Sequence, residues 1–220
     1  MKIYVITLFP EYFEVFKKQG VLSRLFDNEH TLEILSLRDF GIGSRKTTDS
    51  KSAGGLGMTL RADVLEKALL SIPFYDKVVC LAPRGLPWNQ SLAKILSDDL
   101  QKKNYVFIVG RYQGIDERFL EKYVQEYYSL GDFILSGGEI ALMAMLDSSL
   151  RLMKKAINNE NSLKNESFSK YLQGPTYTKP LYCCGQEIPE VLLSGHHENI
   201  VKFHDENALK MTQKYRKDLL

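Results

Sequence analysis

The chain has 220 residues, 44% of them hydrophobic, and a formal net charge of +2. That length supports one large domain, or one plus an appendage, around a substantial core, and it excludes disorder throughout. The charge is too small to announce a nucleic-acid binder by itself. Residues 151–220 nevertheless hold 11 Lys and Arg against 8 Asp and Glu, whereas residues 1–150 hold 18 against 19, so a polyanionic partner suits the C-terminal end better. No run approaches the roughly 18 apolar residues of a membrane span, and "MKIYVITLFPEYF" is interrupted too early for a signal peptide, so no membrane partner is expected. Cys80, Cys183 and Cys184 have neither disulfide-framework nor zinc-pair spacing, which agrees with a cytoplasmic protein.

In chain order, "KIYVITLF" (2–9) is a β-branched and aromatic run stopped by Pro10 and predicts a buried strand. The runs "TLEILSL" (31–37), "KVVCLAP" (77–83), "YVFIVG" (105–110) and "DFILS" (132–136) repeat the pattern. Between them, Leu92, Ile95, Leu96 and Leu100, and then Phe119, Leu120, Tyr123, Val124 and Tyr127, fall at helical spacing. Alternation of strands and helices predicts an α/β fold with a mostly parallel sheet covered by helices on both faces. The pattern breaks near residue 156. "NNENSLKNESFSK" (158–170) reads as a polar linker, which makes residues 1–157 the α/β domain and residues 171–220 a small second unit, helical and modestly basic from "SGHHENIVKF" onward.

Two predicted strands end in glycine-containing loops, "FIVGRYQGIDER" (107–118) and "LGDFILSGGE" (130–139). Gly137 and Gly138 serve either as a tight turn or as main chain stripped of bulk beside a ligand. In a parallel sheet both loops lie on one edge and are able to wall one crevice. Neither GxxxxGK[ST] nor GxGxxG followed by a distant acidic residue is present, which weakens phosphate-loop and dinucleotide readings. "SAGGLGMTL" (52–60) is either a flexible surface connection or a loop pressed against a flat or anionic partner. His196, His197 and Glu198 do not spell HExxH and have no matching cysteines, so no metal site is expected there; the histidines suit hydrogen bonds or phosphate contacts.

Five motifs, "GGLGM", "GRYQGIDER", "GDFILSGGE", "GPTYTKP" and "VLLSGHHE", occur in order over nearly the whole chain. Together they resemble the bacterial tRNA (guanine-37-N1)-methyltransferases, a family of the knotted SPOUT superfamily. The resemblance implies a deep trefoil knot, S-adenosylmethionine as methyl donor, tRNA rather than DNA as partner, and a homodimer with active sites at its interface. It implies a cofactor pocket from Pro83, Gly110 and Tyr112, from Leu130, Gly131, Asp132, Phe133, Ile134 and Leu135, and from Gly137, Gly138 and Ala141. It implies tRNA contacts through Arg45, Lys46, Gly55, Gly57, Tyr177, Lys179, His196 and His197, with guanine preferred at position 36.

Guanine N1 carries a proton that an acceptor must remove as the nitrogen attacks, while a donor steadies the charge gathering on O6. By resemblance the acceptor maps to Glu166 and the cation to Arg151, and the target base is expected to flip out of its stack. Several positions depart from the family spelling. Glu166 is one methylene longer than the usual aspartate. Gln113 replaces a glutamate associated with magnesium dependence, which argues against a Mg2+ requirement and leaves the ion an open alternative. Leu56, Ala141 and Thr176 replace two prolines and a histidine, and the chain stops soon after "KYRKDLL", which implies a trimmed RNA-binding unit. These departures also keep open a weakly active or inactive relative that binds RNA and retains the pocket.

Overall fold

The computed structural model describes residues 1–26, 30–55, 57–154, 156–157 and 166–220. The chain divides into two compact units, Met1–Asn158 and Asn159–Leu220. The polar linker read over 158–170 lies outside the described residues as far as 165, and residues 166–170 form turns and bends at the start of the second unit.

The first unit is built on five strands: β1 (Lys2–Thr7), β2 (Thr31–Ser36), β5 (Lys77–Pro87), β6 (Tyr105–Ile108) and β7 (Glu126–Ser129). They run in the order β2-β1-β6-β5-β7 and every pairing is parallel. A sheet covered on both faces needs strands that are apolar at nearly every position, and β1 and β6 are buried almost end to end. Alternate residues feed two cores. Ile3, Val5, Val79, Tyr105 and Phe107 pack on one face, and Tyr4, Ile6, Val78, Val106 and Ile108 on the other.

Helix α1 (Tyr12–Lys18) contributes Phe13 to the first core; α3 (Gln90–Leu100) and α5 (Gly138–Leu150) add Leu96, Leu100, Leu142, Met145 and Leu146. Helices α2 (Ala62–Leu70) and α4 (Glu117–Tyr123) close the second with Val64, Leu65, Leu69, Phe119 and Leu120. A small antiparallel hairpin, β3 (Asp49–Lys51) and β4 (Met58–Leu60), carries the loop around Gly55 and Gly57; Leu56 lies outside the described residues.

Two local expectations fail together. The helical stripe from Phe119 stops at Tyr123, because Val124 turns extended (φ −90°, ψ 123°), and Tyr127 belongs to β7. The last strand is therefore "EYYS", not "DFILS". Tyr127 and Tyr128 suit a pleated, half-buried edge against Cys80 and Leu81. Residues 132–136 instead run as a bent loop, with Phe133 56% and Ile134 85% exposed.

The second unit has β8 (Tyr182–Cys183) and β9 (Gln186–Glu187) joined by a two-residue turn, with φ +55° at Cys184 and +77° at Gly185, followed by α6 (Glu190–Leu193) and α7 (His197–Tyr215). Thr212 on α7 is its one buried described residue, and the Thr212 hydroxyl accepts the Leu172 N–H at 2.8 Å. No helix among the described residues is long and apolar enough to cross a membrane.

Candidate active site

At the carboxyl ends of β5, β6 and β7, which are neighbours in the sheet, a cavity of about 580 Å³ opens. This is where parallel α/β sheets place their ligands, and the volume falls within the usual range for small-molecule sites. Three chain segments wall it: Cys80–Arg84, Gly110–Ile115 and Tyr128–Gly138, with Ala141 from α5. Pro83, Gly110, Tyr112, Leu130, Gly131, Phe133, Ile134, Leu135, Gly137, Gly138 and Ala141 all meet there, and Asp132 is not among the lining residues.

Each wall has a local cause. The β5–β7 register shifts between Leu81 and Leu86, so the β5 chain bulges outward through Pro83. Proline, which cannot donate to a ladder, is tolerated at such a bulge, and bulges recur beside active sites. Gly85 closes the bulge, where a Cβ would overlap the Tyr128 backbone. Tyr112 has φ +59°, a left-handed conformation that non-glycine residues adopt at a cost. Gly131 makes room for Phe133, whose ring would lie 2.7 Å from a Cβ.

The glycine pair is explained by neighbours. A Cβ on Gly137 would overlap the Arg111 guanidinium, and one on Gly138 would sit 3.2 Å from Val109 Cγ1. Gly110 differs, because a Cβ there would meet only Ile115, at 3.9 Å, which leaves open room beside the main chain. Burial pushes the Cys80 thiol up to about 12, so the one cysteine in the wall is a poor nucleophile. On the rim, Arg84 clasps Glu117 through two 2.6 Å hydrogen bonds, which hold the Glu117 carboxyl below its ordinary range.

The β3–β4 hairpin is fastened to the loop after β6. Gln113 N–H donates to the Met58 carbonyl (2.9 Å), Leu60 N–H to Gly114 (3.0 Å) and Asp116 N–H to Leu60 (3.1 Å). Gly57, with φ +101°, has no room for a side chain because Gln113 Cγ would be 2.8 Å away. The spacing of the two glycine groups in sequence gives no hint of this union.

A larger cavity, about 980 Å³, lies between the hairpin, α2 and α4. Three of its four lining cations are matched with carboxylates, Arg61 with Asp63, Arg118 with Asp116 and Lys122 with Glu66. We assign the ligand site to the smaller cavity because that one sits at the strand ends and holds the glycine loops.

The remaining expected residues are dispersed. Arg45 and Lys46 are exposed in the turn between Ile42 and Thr47, and Lys46 has φ +50° and lies 3.6 Å from Asp39. Arg151 is the half-buried C-cap of α5, and Glu166 is a half-buried residue that opens the described part of the second unit. Tyr177, Lys179, His196 and His197 are exposed in the second unit, His196 as the N-cap of α7. Among the described residues no group of three or more His, Cys, Asp or Glu is placed to hold a metal ion. Sequence reasoning missed Arg111 and Glu139, although both stand inside quoted motifs.

The sheet and the cavity at its carboxyl edge define an α/β protein with a hollow of small-molecule size walled by strand-end loops. More narrowly, the chain belongs to the tRNA (guanine-1)-methyltransferase TrmD family, whose model matches residues 1–220. It is similar to a tRNA (guanine-N(1)-)-methyltransferase of Clostridium botulinum (strain Eklund 17B / Type B), with 41% identity over 226 residues, covering 100% of this chain and 92% of the relative. Proteins of the same description from Sulfurihydrogenibium sp. (strain YO3AOP1) and Treponema denticola are 41% and 39% identical over 100% of the chain and 87% and 90% of their own lengths.

Proposed function

We propose that the protein is an S-adenosylmethionine-dependent tRNA methyltransferase acting on N1 of guanine 37 in the anticodon loop, with guanine preferred at position 36. The observation that carries this reading is the cavity formed by three strand-end loops in a chain of this family. The cavity suits S-adenosylmethionine in volume, in its apolar wall of Leu130 and Leu135, and in the open space beside Gly110. Pro83, Gly110, Tyr112, Leu130, Gly131, Phe133, Ile134, Leu135, Gly137, Gly138 and Ala141 would hold it. When bound, it supplies a methyl group on a sulfonium whose thioether leaves with little activation.

The guanine is the harder partner, and the protein acts on it. Glu166 accepts the N1 proton, and the planar fork of Arg151 donates toward O6. Arg45, Lys46, Gly55, Gly57, Tyr177, Lys179, His196 and His197 bind the tRNA, largely through phosphates and flipped or unstacked bases. The SPOUT knot encloses the cofactor, and two copies complete each site at their interface in the cytoplasm. In support, Phe133 and Ile134 expose apolar side chains at the cavity rim, where a second surface would cover them.

Purified protein is expected to transfer methyl from S-adenosylmethionine to tRNA with guanine at 36 and 37, and not to tRNA with adenine at 37. Donor binding with no transfer to any tRNA would overturn the assignment. Glu166→Ala should lower turnover at least about tenfold while donor affinity stays constant; an unchanged rate removes Glu166 from the chemistry.

A further inference from the structure

The Arg111 guanidinium lies between the two glycine loops and is bonded to the far one. Its Nε donates to Glu139 Oε1 at 3.1 Å, its Nη2 is 2.9 Å from Glu139 Oε2, and its Nη1 donates to the Ser136 carbonyl at 3.0 Å. The rings of Phe9 and Tyr12 cover it, with centroids 4.4 and 5.6 Å from the guanidinium carbon. Glu139 is fully buried at the first turn of α5, where the helix dipole favours a carboxylate, and its Oε1 also accepts the Thr7 hydroxyl at 2.8 Å. Alongside, Gly138 N–H donates to the Gly110 carbonyl at 3.1 Å.

Gly137 shows how much the local structure yields to this pair. Its backbone is extended (φ −177°), which any residue adopts, so glycine is required there only for the space that Arg111 fills. A buried ion pair is a costly way to stabilise a fold, and an apolar pair of like volume often does as well or better. A guanidinium fork that donates both to a carboxylate oxygen and to a main-chain carbonyl gives direction, which a lysine point charge does not.

We propose that Arg111 and Glu139 are positioning residues that lock Ser136–Gly138 against Gly110–Tyr112 and so set the shape of the donor cavity. The inference rests on the S-adenosylmethionine reading given above. Arg111 is itself part of the cavity wall and Glu139 is not, but the guanidinium is engaged by Glu139 and the Ser136 carbonyl, so the pair acts on the ligand through the loops it joins.

Calorimetric titration of S-adenosylmethionine into wild-type, Arg111→Lys, Glu139→Gln and Gly137→Ala protein tests it, with tRNA KM and thermal melting recorded on each. Each substitution should weaken donor binding about tenfold or more and leave the tRNA KM within about twofold, a split that general loosening would not produce. Because the methyl added by Gly137→Ala would act by displacing Arg111, the Arg111→Lys, Gly137→Ala double variant should bind no more weakly than Arg111→Lys alone. Should Glu139→Gln fail to melt cooperatively, Gly137→Ala keeps both charges and carries the test. Donor affinity within about twofold of wild type in the folded variants, or full additivity in the double, overturns the lock alone. A wild-type protein that takes up no donor overturns the cofactor reading and the lock with it.

Discussion

The two ends of the parallel sheet solve opposite problems with the same strands. At the amino edge the chain is sewn shut by side chains. Asn104 accepts the Lys2 N–H (2.9 Å) and donates its own N–H to Asp76 (2.7 Å), while Lys77 is bonded to both Asp99 and Glu126. Tyr105 and Lys103 also donate to Asp99, at 2.8 and 3.0 Å. At the carboxyl edge the strands part into a bulge, a left-handed tyrosine and four glycine-dependent contacts around a hollow. Groups at the first edge are satisfied by one another, whereas the second keeps room for something else. Strain and open room gather at the carboxyl edge, and the opposite edge is closed by charges and hydrogen bonds that satisfy one another.

The largest effect expected from breaking this division comes at Gly85. Gly85→Ala would push a methyl against the Tyr128 backbone, and urea unfolding should show a loss of about 3 kcal/mol, the upper end for overpacking. A loss under about 0.5 kcal/mol would mean that the bulge yields easily and the edge is not fixed by β5.

Asp99→Asn tests the amino edge and should cost about 1 kcal/mol at neutral pH, a modest figure because the carboxylate is 27% exposed. Hydrogen bonds from Lys103 and then Tyr105 hold the Asp99 carboxyl below its ordinary value of 3.8. Its contribution is therefore fully present well above that value and lost as the pH falls through the lower folded one, so the gap between wild type and variant should narrow as the pH falls below 3.8 and close only below the folded value. A gap independent of pH would assign the effect to packing.

The smallest effect is expected at Ile134, which is 85% exposed. Ile134→Ser should shift unfolding free energy by less than about 0.5 kcal/mol while reducing self-association in sedimentation runs. A protein that sediments unchanged would remove Ile134 from any interface.

How much of this was legible in the sequence follows from the range of the forces involved. Strands β1, β5 and β6 declared themselves because a sheet buried on both faces demands nearly unbroken apolar runs, and the edge strand β2 through the looser apolar pattern of Leu32, Ile34 and Leu35. "DFILS" imitated one, since local apolarity does not distinguish a buried strand from a loop whose side chains stand at a cavity mouth, and Tyr127 followed a helical stripe that its pairing with Cys80 overrode. The cavity-lining residues were found through resemblance to a family, with the loops' position at one sheet edge as the physical support. Arg111 and Glu139 stayed hidden because nothing local tells an ion pair 28 residues apart from two solvated charges. The ladder from Met58 to Gln113 was likewise out of reach, being made of main-chain groups that every sequence possesses.

The placement of the three cysteines has a practical consequence. Cys80 is sealed in the cavity wall with its thiol held protonated, whereas Cys183 and Cys184 stand in the open at the β8–β9 turn. A maleimide fluorophore will load that turn and spare the cavity wall, so the unmutated chain already offers an optical handle for testing whether the second unit meets RNA.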